Sequence, residues 1–234
     1  MRKVVAYELL SLDGVAEKPD GFFADWDDAM EANLGAVIAA QDSVILGRRS
    51  YEEWAEFWPG SDIEPFATFI NGVAKYVATS TPLDRKWANT TVVDGELVEF
   101  VRDLRNQPGA DIGVHASISV AQALLAAGVV DELRLVIAPT IAGSGRRLLD
   151  GLPAIRLESI RSTTSPTGYL LVDYRVIGLA SSPSRTTEQR CTVPSRFVPD
   201  HGPDRSSAVR PLSEPAPFER LAENLDLVLR GGTS

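Results

Sequence analysis

The residues of this chain best suited to chemistry lie in a few turns that follow apolar runs. The first turn is Gly47-Arg48-Arg49-Ser50, placed after Val44-Ile45-Leu46 and before a helix-like stretch over 51–57. A buried strand that turns through glycine into a helix leaves unpaired backbone N–H groups pointing one way, and such an end attracts anions, phosphate above all. Two guanidinium groups and a hydroxyl at that point add charge and donors. The same residues also suit a solvated turn with surface arginines and Ser50 as an ordinary N-cap, and so short a motif leaves both readings open. Thr79-Ser80 ends a second apolar run and fits a phosphate contact or a plain strand-to-loop cap. His115-Ala116-Ser117-Ile118-Ser119 ends a third, and Ser117 there suits a helix cap, a phosphate cradle, or both. Asp13 stands in Ser11-Leu12-Asp13-Gly14 after the first apolar run. It either shapes an Asp-Gly turn or presents a carboxylate whose partial burial raises its pKa.

Composition removes several other chemistries. The chain has 234 residues, room for one large domain or two small ones, with a net charge of −9. That balance argues against a nucleic-acid surface held by many phosphate contacts. Cys191 is the one cysteine and His115 and His201 the only histidines, so an intrachain disulfide, a thiolate or His-rich metal site and a Ser-His-Asp triad are all disfavoured. No apolar run reaches the ~18 residues of a membrane span. The start, Met1-Arg2-Lys3 and then Val4 to Leu10, is too short and polar for a signal peptide and reads as a first strand, so a cytoplasmic location is expected.

The turns are joined by alternating strands and helices. Strands are expected over 3–10, 44–46, 75–79, 91–93, 111–114 and 131–139. Helices are expected over 25–41, 51–57, 63–71, 96–106 and 120–127. Trp26 begins the apolar side of the first helix and, with Phe22, forms either an apolar wall for a flat ring or part of the core. Such alternation implies right-handed parallel crossovers. Two last strands, 155–163 and 169–177, meet at Ser165-Pro166-Thr167-Gly168 and predict a closing antiparallel hairpin. Ligands in such sheets sit at the carboxyl ends of the strands, where the turns after residues 46, 79 and 114 would meet. Residues 179–234 hold seven of the 15 prolines, with seven Arg against seven Asp plus Glu. They read as a flexible tail with one candidate helix over 218–229.

Taken as an ordered set, three stretches resemble the RibD C-terminal reductase family, which shares the dihydrofolate reductase-like fold. They are Ser11-Leu-Asp-Gly14, Leu46-Gly-Arg-Arg-Ser-Tyr51, and Gly128 to Pro139 followed by Gly143-Ser-Gly145. The likeness spans about residues 1–178. It implies a three-layer α/β domain with a mixed, mostly parallel sheet, and an NADPH-dependent reductase acting on a C=N or C=O bond of a small, pterin- or pyrimidine-like substrate. It assigns Gly47, Arg48, Arg49 and Ser50 to the cofactor phosphates and Thr79 and Ser80 to the adenosine end. His115, Ala116, Ser117, Ile118 and Ser119 become a third cofactor contact. Ala116 and Ser117 stand there where glycine is common; the methyl of Ala116 is tolerated if φ is negative. Asp13 and Glu132 become the catalytic candidates, with Asp13, Trp26 and Glu132 near the substrate. Asp131 is left to cap or to pair with an arginine. The resemblance also implies a homodimer. A nucleotide-binding or sensor module without turnover is the rival reading on the same fold.

Overall fold

A computed structural model describes residues 1–179, and the expectations for the tail, including a helix over 218–229, fall outside the described residues. The elements follow one another as β1 (Val4–Leu10), α1 (Asp28–Ala39), β2 (Gln41–Gly47), α2 (Arg48–Phe57), α3 (Phe66–Gly72), β3 (Ala74–Ala78) and β4 (Thr90–Val92). Then come α4 (Leu97–Asn106), β5 (Asp111–His115), α5 (Ile118–Ala126), β6 (Glu132–Ile137), β7 (Ile155–Thr164) and β8 (Leu170–Leu179). One eight-stranded sheet runs in the order β4-β3-β2-β5-β1-β6-β8-β7. Its first six strands are parallel, and β8 lies antiparallel on β6 with β7 outermost. This is the mixed sheet with a closing hairpin that the periodicity implied.

The central position of β1 follows from its sequence. Its run of Val4-Val-Ala-Tyr-Glu-Leu-Leu10 is apolar on both sides, as a strand buried on both faces must be. Val4, Ala6 and Leu10 face a core formed with Ile45, Ile112, Val114, Val101 and Leu104 of α4, and Val120, Ala121, Leu124 and Leu125 of α5. Tyr7 points to the opposite side, where Met30 and Val37 of α1, Phe22, Phe23, Val136 and Tyr169 pack together. A third core joins Val44 and Leu46 to Tyr51, Trp58, Phe66 and Ile70. Lys75 is buried within that region. Its Nζ donates to the carbonyls of Ile70 (2.8 Å) and Val73 (2.9 Å) and lies 4.5 Å from the Trp87 ring. A cation thus closes the carboxyl end of α3, while burial lowers its pKa to about 8.

Asp27 ties the start of α1 to the closing hairpin. Its Oδ1 accepts the Met30 N–H at 3.0 Å as an N-cap, and its Oδ2 accepts the N–H (3.1 Å) and hydroxyl (2.6 Å) of Thr167 in the β7–β8 turn. Asp27→Ala removes both acceptor oxygens and with them all three hydrogen bonds. We expect a loss of about 1–2 kcal/mol, in the upper range for an N-cap, read as a lower midpoint in urea unfolding. Asp27→Asn, which keeps the acceptor for Met30, should recover part of it.

Candidate active site

The carboxyl ends of β2 and β5 are adjacent in the sheet, and each runs directly into a helix. α2 begins at Arg48 with Gly47 as its N-cap and no side-chain cap, so its first N–H groups are open to a ligand. α5 begins at Ile118 with Ser117 as N-cap. The two turns are bonded to each other. The Gly47 N–H donates to Ser117 Oγ at 3.0 Å, and the Ser50 hydroxyl donates to the carbonyl of Ala116 at 2.8 Å. Ser117 therefore does not cap its own helix, as the sequence suggested, but holds the neighbouring turn, and it is itself buried.

Arg48 and Arg49 are exposed on the first turn of α2. Arg48 pairs with Asp84 (2.7 Å) and more distantly with Glu52 (3.9 Å); Arg49 pairs with Glu53 (3.1 Å) and Glu17 (3.3 Å). An open pocket of about 520 Å³ is lined by Arg48, Arg49, Glu52 and Glu53. Thr79 ends β3 beside this region, but its Oγ1 is turned inward to the N–H and carbonyl of Thr81, and Ser80 is exposed. In the β5 turn, Ser119 Oγ accepts from Arg146 at 3.0 Å and the Ile118 side chain is buried. His115 sits at the end of β5, not in the turn. Its Nε2 lies 2.8 Å from Gln41 Oε1, Phe66 and Tyr7 pack around the ring, and burial lowers its pKa to about 4, which keeps it neutral.

The two carboxylate candidates do not meet. Asp13 lies at the carboxyl edge, where the 11–17 and 140–148 loops are laced by backbone hydrogen bonds such as Leu12 N–H to Thr140 and Leu148 N–H to Gly14. Its carboxylate accepts the Ser11 hydroxyl (2.7 Å) and the N–H groups of Ala142 (2.9 Å) and Gly143 (3.0 Å), with Arg147 at 3.4 Å. The Ser11 hydroxyl and then these N–H groups hold its pKa at about 2. That corrects the expected rise: Asp13 is not buried away from donors, and it is ionised at neutral pH. In the same lacing Gly145 adopts φ +114°, and a Cβ there would meet Val15 at 2.7 Å. Glu132 pairs with Val5 across β1 and β6, whereas the carboxyl end of that pair is Leu10 opposite Ile137. Five residues of strand separate them, roughly 17 Å. Glu132 is nearly buried between Lys3 (2.7 Å) and Arg134 (2.7 Å); burial opposes its charge, and the hydrogen bonds from these two cations more than offset that and lower its pKa. Asp131 pairs with Arg105 at 2.7 Å, as an acid left to an arginine should. Trp26 is half-buried against the α1 core, and Phe22 lies within that core.

The sequence profile described as the RibD C-terminal domain matches residues 2–171. The chain belongs to this family. Among curated proteins it is similar to YyaP of Bacillus subtilis, described as uncharacterized, with 25% identity over 182 residues, 74% of this chain and 94% of the relative. Among solved structures it is similar to a pyrimidine reductase-like protein of Corynebacterium diphtheriae (18% identity, TM-score 0.54, 75% of this chain and 92% of that one). It is also similar to a diaminohydroxyphosphoribosylaminopyrimidine deaminase/5-amino-6-(5-phosphoribosylamino)uracil reductase of Thermotoga maritima (13%, TM-score 0.55, 75% and 56%). These two likenesses carry the fold, a mixed, mostly parallel sheet closed by an antiparallel hairpin.

Within that family frame two residues stand out. Ala116 has φ +49°, so the condition under which its methyl would be harmless is not met. An L-residue in this region is strained by roughly 1–2 kcal/mol, which the Ser50 bond to its carbonyl helps to hold. Glu8, which sequence reading passed over, is buried on β1 beneath the start of α5. Its signal was a single acid inside an otherwise apolar strand. For Ala116→Gly we expect a gain in stability of about 1 kcal/mol, a rise in thermal midpoint of about 2–4 °C for a domain this size, measured by calorimetry.

Proposed function

We propose that this protein is an NADPH-dependent reductase that delivers hydride to a C=N or C=O carbon of a small heterocycle of pterin or pyrimidine type. The observation that carries the reading is the pair of exposed arginines on the uncapped first turn of α2, at the carboxyl edge and beside the end of β3. These residues fit a phosphorylated dinucleotide. The free N–H groups of the first turns of α2 and α5, neither closed by a side-chain cap, suit a pyrophosphate, and Arg48 with the exposed Ser80 suits a 2′-phosphate dianion. Gly47 contributes differently from the usual expectation, because its N–H already serves Ser117. When bound, the cofactor's nicotinamide supplies the hydride. The chain's own part is to bind, orient and exclude water. With Asp13 ionised and Glu132 at the opposite edge, the accompanying proton comes from solvent.

The commitment of both carboxylates to structural partners also favours the rival, a nucleotide-binding module without turnover. Saturable NADPH binding without oxidation across pterins, pyrimidines and imines would select the rival. A cytoplasmic location and a homodimer belong to the reductase reading. Among the described residues β7 is an outermost strand, an exposed ten-residue edge for pairing, and sedimentation at micromolar concentration should show a dimer.

The site reading is tested by tryptophan fluorescence titration. NADPH should bind well over tenfold more tightly than NADH, and Arg48→Ala should weaken NADPH binding by more than tenfold while leaving the unfolding midpoint unchanged. Asp84→Asn, which frees Arg48, should tighten it. An unaltered dissociation constant in Arg48→Ala would remove Arg48 from the site.

A further inference from the structure

Glu8 is the charged residue of this fold that no expected role uses. It lies on the same side of β1 as Ala6 and Leu10, in the core that α5 covers, and is 3% exposed. The register of β1 on β5 sets Tyr7 opposite His115, so Glu8 lies under the Ala116–Ser117 turn. The backbone N–H of Ser117, at the N-terminus of nine-residue α5, is the group that favours its charge. Its Oε1 has no hydrogen-bond partner among the described residues. Among the described residues no cation offsets it. α5 brings only Ser119 and Gln122 as polar side chains, α4 turns Val101 and Leu104 to this core, and β5 and β6 offer Ile112, Val114, Leu133 and Leu135. The charged groups around the turn are Arg48 and Arg49 on α2, Asp13 after β1, and Arg146 and Arg147 on the 140–148 loop, all with partners of their own.

A buried carboxylate with an unpartnered oxygen and no counter-ion among the described residues resists ionisation, and its pKa is raised to about 8 by burial, which the nearby Ser117 N–H only partly offsets. Above that pH the start of α5 already holds an anion. A ligand phosphate at the same turn would be a second negative charge on one helix end.

We infer that Glu8 is a proton-coupled positioning residue of the phosphate site: the start of α5 accommodates either the Glu8 carboxylate or a ligand phosphate, so phosphate binding requires Glu8 to be protonated. This rests on the cofactor reading above. Below about pH 7 the free protein already carries neutral Glu8 and binding moves no proton. At higher pH each binding event takes up one proton, which joins the Glu8 carboxylate. The neighbouring guanidinium groups keep their charge throughout and Asp13 is already ionised, so neither contributes. Lys75 titrates near the same pH but lies under α3 in another core, and it is common to wild type and variant.

The test is isothermal titration calorimetry of the full chain with NADPH in buffers of differing ionisation enthalpy. Wild type should take up close to one proton per NADPH at pH 9 and almost none at pH 6.5. Its affinity should fall roughly tenfold per pH unit above about pH 8. Glu8→Gln should bind equally well at both pH values and take up none. Tight wild-type binding at pH 9 without proton uptake, or equal uptake by wild type and variant, would overturn the role of Glu8 and leave the cofactor reading standing. Absence of NADPH binding by both proteins at both pH values would overturn the cofactor reading and this inference with it.

Discussion

Two hydrogen bonds between turns remote in sequence hold the working edge of this protein together. Gly47 N–H to Ser117 Oγ and Ser50 Oγ to the Ala116 carbonyl join the ends of β2 and β5, about seventy residues apart along the chain. Their formation depends on the sheet order, since only neighbouring parallel strands deliver two helix starts side by side. The bonds bring those starts into one wall and fix the Ala116 backbone in a conformation it would not choose alone. They also use up the Gly47 N–H, so attraction for an anion must come from the remaining N–H groups at the starts of α2 and α5 and from the arginines.

The opposite edge of the sheet has another character. There Lys3, Glu132 and Arg134 form a chain of charge, Arg2 joins Asp42, and Arg105 joins Asp131. These contacts tie the starts of β1, β2 and β6 to one another and to α4. Glu132 has two cations within hydrogen-bonding distance and is nearly enclosed, which is how a buried carboxylate becomes tolerable. A carboxylate held in this way is a poor proton carrier, whatever its neighbours in sequence suggest.

The order of elements was legible because each obeys a simple period. The alternation in 131–139 and 169–177, the helical spacing of Val101 and Leu104, and the strand–glycine–helix turn at Gly47 all appear in the structure within a few residues of their expected places. Side-chain roles were legible only where the partner is local. That Ser117 would serve Gly47 instead of its own helix depends on β2 lying beside β5. That Asp13 would be ionised depends on N–H groups some 130 residues away. Lys75 looks like an ordinary charge in the sequence and Glu8 is marked there only as a lone acid in an apolar run; burial against α3 and α5 gives both their weight. Glu132 was placed beside the substrate by the family resemblance, yet the length of β6 separates it from the carboxyl edge where the 140–148 loop lies.

Nearly every donor at the carboxyl edge already has an acceptor. Arg48 is met by Asp84 and Glu52, Arg49 by Glu53 and Glu17, and Arg147 by Asp13. A phosphorylated ligand entering here would exchange one anion for another and would not simply fill a bare positive site. Such exchange lowers the gross attraction, because the arginines are not stranded before binding, but it keeps their side chains ordered and their charges compensated in an acidic protein. Discrimination then rests on what the surrogate carboxylates cannot match. A phosphate dianion brings three acceptor oxygens to a guanidinium and several helix-start N–H groups at once, whereas Asp84 meets the guanidinium of Arg48 and Glu52 divides itself between that guanidinium and the Asp84 N–H. On the proposed reading, the acids around Arg48 and Arg49 would set a threshold that favours a dianion over a monoanionic or uncharged ligand, so that selectivity for a phosphate would be built from competition as much as from attraction.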